Sequence, residues 1–138
     1  MVNLYTDGFV SLDTEDDKLI FKIVDERTVY DEKGFNESLE YIRQTWKHAV
    51  INNIKYTFIV DVLLETNVDL PLSAYIKLIN MLMDIHKDIL SNCINIFFIT
   101  KSKDKWRGVY DFVTKLWNPL EEKPLYFIDT YDAITKTN

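Results

Sequence analysis

Along the chain, short apolar runs alternate with longer stretches of helical period. Residues 56–62 (YTFIVDV), 94–100 (INIFFIT) and 125–129 (LYFID) are apolar enough to be strands covered on both faces. In residues 35–50 the period becomes that of an amphipathic helix. Phe35, Leu39, Ile42, Trp46 and Val50 share one face, with Glu37, Glu40, Arg43, Gln44 and Lys47 largely opposite, and Asn52-Asn53 ends the element. A second helix is expected over residues 70–90, about six turns, with Asp69 as its N-cap and Pro71 in its first turn. A third is expected from Asp104 to Trp117, where Trp106, Val109, Tyr110, Val113, Leu116 and Trp117 follow the i, i+3, i+4, i+7 template and Asn118-Pro119 breaks it. A short terminal helix is expected over residues 131–136. Near the N-terminus, residues 8–12 and 18–24 flank the polar cluster 13–17, which predicts a hairpin with a loop of about five residues.

Strands alternating with helices imply right-handed crossovers and parallel pairing. The expectation is one α/β domain over residues 1–138: a mixed, largely parallel sheet of about five strands with packed helices.

The helix over residues 70–90 carries two adjacent apolar stripes. Leu72, Tyr75, Ile76, Ile79, Leu82, Met83, His86, Ile89 and Leu90 form the first; Ala74, Leu78, Met81 and Ile85 form the second. Together they span roughly 220°, against ~100° for a helix packed on one side only. The first stripe is expected to face the sheet. The second then meets either a neighbouring helix of the same domain or an outside partner: another protein, a second copy of the chain, or a lipid-like ligand. Ala74, Leu78, Met81 and Ile85 are therefore the candidate partner- or lipid-binding residues.

Composition narrows the chemistry. The net charge of −6 opposes binding to nucleic acid and to anionic membranes. The best basic run, Lys101, Lys103, Lys105 and Arg107, reads as a solvated loop and helix start. The three glycines, Gly8, Gly34 and Gly108, are scattered, so neither GxGxxG nor a Walker A loop is present. Cys93 is the only cysteine and no signal peptide is expected, which points to a reducing, cytoplasmic setting and leaves the sequon Asn36-Glu37-Ser38 idle. No apolar run approaches the ~18 residues of a membrane span.

Acids near the carboxyl ends of the strands, Asp25, Glu26, Asp61 and Asp129, are where ligands of open α/β sheets bind. Asp61 and Asp129 are candidate Mg²⁺ ligands for a metal-dependent enzyme. His86 sits on the apolar arc and is read as a hydrogen-bonded core residue, His48 lies on a helix flank, and Cys93 falls in the turn before a strand. HExxH, GxSxG and paired CxxC are absent, and no cofactor is expected.

The order of strands and helices resembles the STAS domain, the SpoIIAA-like anti-sigma-factor antagonist fold. Residues 18–24 followed by the helix 35–50 match its first strand and helix. FIVDV at 58–62, with Asp69 eight residues beyond Asp61, is similar to the strand leading to its Asp-Ser loop. FFIT at 97–100, the helix to Trp117 and YFIDTYDAI at 126–134 are similar to its end. In that family a Ser or Thr phospho-acceptor follows the acid; here Leu70-Pro71-Leu72 follows Asp69, and Ser73 is the nearest hydroxyl. The second half also resembles the CRAL-TRIO (Sec14-like) lipid-binding domain in truncated form, through the long helix 70–90, INIFFIT, VYDFVTKLWNPLEEK and LYFID. The resemblances imply a non-catalytic protein-interaction module with a regulatory role, self-associating or binding a protein partner. The alternatives are an apolar-ligand or lipid binder and an enzyme using the strand-end acids.

Overall fold

The computed structural model describes residues 2–6, 10–23, 32–61, 71–100, 107 and 125–128. Their elements run β1 (Val2–Thr6), β2 (Val10–Glu15), β3 (Lys18–Ile23), α1 (Glu32–Asn52), β4 (Tyr56–Asp61), α2 (Leu72–Asn92), β5 (Cys93–Ile99) and β6 (Leu125–Ile128). The expected helices over 104–117 and 131–136, apart from Arg107, lie outside these residues.

Six strands form one mixed sheet in the order β1-β2-β3-β4-β5-β6. The pairs β1–β2 and β2–β3 are antiparallel, whereas β3–β4, β4–β5 and β5–β6 are parallel. Spatial order equals sequence order, so successive crossovers of one hand place α1 and α2 on the same face.

β1 is the strand that periodicity does not predict. Its register with β2 shifts between Asn3 and Tyr5. The bulge lets the consecutive residues Leu4 and Tyr5 both pack on the core, which erases the alternation that marks a strand. The β2–β3 hairpin also differs from expectation. Its turn is only Asp16-Asp17, with Asp16 at φ 54°, because Asp13 and Glu15 are the outward positions of a strand. Asn3 Nδ2 donates to Asp13 Oδ1 at 2.8 Å across the β1–β2 pair.

α1 buries Phe35, Leu39, Ile42, Trp46 and Ala49. Val50, expected on that face, is 40% exposed. At 3.6 residues per turn the next inward position after Trp46 is Ala49, and Val50 drifts outward. The helix closes with Asn53 at φ 53°, where Asn53 N–H donates to Val50 O and Ile54 N–H donates to Ala49 O. These two bonds form a Schellman cap, with asparagine in the left-handed position usually given to glycine.

The larger core lies between the helices and one sheet face. Val10, Leu12, Leu19, Phe21, Phe58, Val60, Ile96 and Phe98 meet Trp46 and its neighbours from α1 and Leu78, Met81 and Ile85 from α2. Trp46 meets Phe58 edge-on at 5.7 Å and Tyr56 at 6.0 Å. On the opposite face Ile59, Phe97 and Ile99 are fully buried, with Ile20 and Ile128 beside them. The parallel strands are thus apolar on both faces, as their unbroken runs imply. β5 begins at Cys93, one residue before the expected start, so this buried thiol belongs to a strand and not to a polar turn; its Sγ–H donates to Asn95 O. Among the described residues no helix is long and apolar enough to cross a membrane.

Candidate functional site: the outward face of α2

The four residues expected to form a docking strip are core residues. Ala74, Leu78, Met81 and Ile85 are at most 2% exposed and belong to the main cluster. The alternative reading of that stripe, a neighbouring helix of the same chain, is the observed one. α2 lies on the sheet and against α1 at once, and this double contact buries a wider arc than a sheet alone would. Leu78, Met81 and Ile85 are part of this core.

The stripe expected to face the sheet turns partly outward. Leu82 is buried and Ile79 half-buried, but Leu72 is 75%, Ile76 48% and Met83 40% exposed. Leu72, Ile76, Ile79 and Met83 follow i, i+4, i+7, i+11, so they form a single ridge along the helix. The ridge lies roughly opposite the buried centre at Met81 and Ile85 on the 100° wheel.

Ion pairs accompany the buried stripe in setting how α2 is rotated. Lys77 Nζ donates to Glu32 Oε1 at 2.7 Å, and Arg43 bridges Glu40 Oε2 and Asp84 Oδ2, each at 3.2 Å. These ties hold the polar flank of α2 against α1. The hydrogen bond from Lys77, reinforced by its charge, holds the Glu32 carboxyl below the ordinary glutamate range. Ser73 is exposed in the first turn of α2, next to Leu72 at the head of the ridge. Asp69, the expected cap, lies outside the described residues; Ala74 N–H donates to Pro71 O at 2.9 Å in that first turn.

Among the described residues, the strand-end groups are Asp61 and Thr100, and they fall on opposite faces of the sheet. Asp61 is buried at the end of β4, opposite Lys22 in the ladder and on the face of Ile59. Thr100, at the end of β5, is also buried, and its N–H donates to Ile128 O. Strand alternation puts Thr100 on the helix-covered face with Phe98, away from Asp61. Asp129, Asp25 and Glu26 lie outside the described residues, among which no group of three or more His, Cys, Asp or Glu side chains comes together. His86 is half-buried, not a core residue: its Nδ1 donates to Met83 O at 2.6 Å, because a carbonyl can only accept. His48 is exposed beside Asn52. Arg107, the described member of the basic run, is exposed.

The ridge could have been found in the sequence only by knowing how α2 is rotated, since its residues belong to the same greasy arc as the core stripe. Comparison of the chain with known protein families, curated proteins and solved structures finds no match.

Proposed function

We propose that the protein is a non-catalytic interaction module of STAS-like architecture whose contact surface is the α2 ridge. The observation that carries this reading is the exposure of Leu72, Ile76 and Met83 on one line of a helix whose opposite stripe is buried. Exposed apolar side chains in a contiguous row favour a partner over water. The order β3–α1–β4–α2–β5, which carries the resemblance, supports the architectural half of the proposal. Ser73 supports a regulatory role. A phosphate there would meet the positive end of α2 and sit one turn from Lys77, adding about two negative charges beside Leu72 and Ile76. Such charge would oppose apolar docking. The lone Cys93 fits a cytoplasmic setting.

Photo-crosslinking tests the reading. A photoreactive residue placed at position 76 in cells is expected to trap a discrete protein adduct, and one placed at Lys47, exposed on α1, is not. Ile76→Asp is expected to abolish an adduct formed from position 83 while light scattering and circular dichroism show an intact fold. An adduct of twice the chain mass would identify the partner as a second copy. Absence of adducts from positions 72, 76 and 83 overturns the proposal.

A further inference from the structure

A cleft separate from the α2 ridge opens where α1 passes over the β1–β2 pair and the entrance to β4. Its volume is about 340 Å³, and it is lined by Leu4, Thr14, Tyr41, Gln44, Thr45, His48, Ile54 and Tyr56. That volume sits at the lower end of the ~300–1,000 Å³ range of small-molecule sites. The lining has a pattern. Tyr41, Gln44, Thr45 and His48 recur at i, i+3, i+4, i+7, so one flank of α1 presents them together. Leu4 and Ile54 supply apolar surface. No lysine, arginine, aspartate or glutamate is among these residues.

Both aromatic walls are fixed from outside the cleft. Tyr41 lies 5.0 Å from Tyr5, with ring planes tilted by 31°, and Tyr5 Oη donates to Glu37 Oε2 at 3.0 Å. Tyr56 is held edge-on by the buried Trp46 at 6.0 Å. Walls positioned by other contacts need little ordering when a ligand arrives. Gln44 offers a donor and an acceptor side by side, the pair that reads the edge of a purine-like ring. With no lysine or arginine in the lining and a chain of net charge −6, an anionic ligand would find little compensation.

We propose that this cleft binds a neutral planar heteroaromatic ring of the nucleobase class, stacked against tyrosine and read at its edge by Gln44 and His48. Adenosine is the probe, titrated into ¹⁵N-labelled protein and followed by amide chemical shifts. Saturable shifts are expected at Tyr41, Gln44, His48 and Tyr56. Tyr41→Ala, a change at a half-exposed position, is expected to weaken binding about fivefold by removing one stacking wall. Gln44→Leu is expected to equalise adenosine and indole. Adenosine monophosphate is expected to bind no more tightly than adenosine. Any of three results overturns the proposal: no saturable shift at those amides at millimolar adenosine, unchanged affinity in a folded Tyr41→Ala protein, or clear preference for the monophosphate.

Discussion

The side-chain amide of Asn92 donates to the Ala49 carbonyl at 3.1 Å and, with its other hydrogen, to Ile54 O at 2.8 Å. Asn92 ends α2 and Ala49 lies in the last turn of α1, so one buried amide ties the two helix termini and the entry to β4. It also completes the α1 cap, since Ala49 O already accepts from Ile54 N–H. Asn92→Ala removes both bonds: Ala49 O keeps Ile54 N–H, while Ile54 O loses its side-chain donor. It is expected to cost about 1–3 kcal/mol, read from the midpoint of urea unfolding at unchanged slope. An unaltered midpoint would show that the amide tie contributes nothing.

The rotation of α2 gives a paired prediction. Leu78→Ala and Met81→Ala each empty part of the main core and are expected to lose ~2–5 kcal/mol. Ile76→Ser removes a half-exposed side chain from the ridge and is expected to stay within ~0.5 kcal/mol. Thermal unfolding of the three variants distinguishes this arrangement from its inverse. If Ile76→Ser proved the most damaging of the three, the helix would be facing the other way.

Trp46 is fully buried, yet its indole N–H has no hydrogen-bond acceptor among the described residues. Its ring packs edge-to-face with Tyr56 and Phe58. The ring's area must outweigh the stranded donor. Trp46→Phe removes that donor along with part of the volume, so it is expected to cost less than ~1.5 kcal/mol, against ~3–5 kcal/mol for Trp46→Ala. Equal losses in the two variants, measured by denaturant unfolding, would mean that the N–H carries no penalty.

How much of this was legible in the sequence depended on whether a residue's fate is set locally. Phe35, Leu39, Ile42 and Trp46 point inward because a regular period, acting alone, puts them on one face. β4 and β5 are recognisable because strands covered on both sides need unbroken apolar runs. β1 is not, because a bulge at Leu4 places neighbours on the same side. The α2 ridge is not legible for a third reason. Its two apolar stripes are equivalent by composition, and the choice between them is made by packing on α1 and the sheet, with Lys77–Glu32 and Arg43–Asp84, partners 45 and 41 residues apart in the chain, beside that packing. A one-dimensional pattern cannot contain that decision.

The same ion pair makes a pH prediction. Lys77 lowers the Glu32 carboxyl by donating to it, so folding releases a proton from Glu32 more readily than the unfolded chain does. The link is therefore fully present above the ordinary glutamate range and is lost as pH falls through the depressed value. A ¹³C titration of Glu32 is expected to show a midpoint below that of an unperturbed glutamate, and Lys77→Ala is expected to raise it. Both side chains reach solvent, so added salt should move the midpoint upward as well. Arg43–Asp84 is a second tie between the two helices. A Glu32 midpoint insensitive to both Lys77→Ala and salt would remove this pair from the account of why Leu72, Ile76 and Met83 face outward.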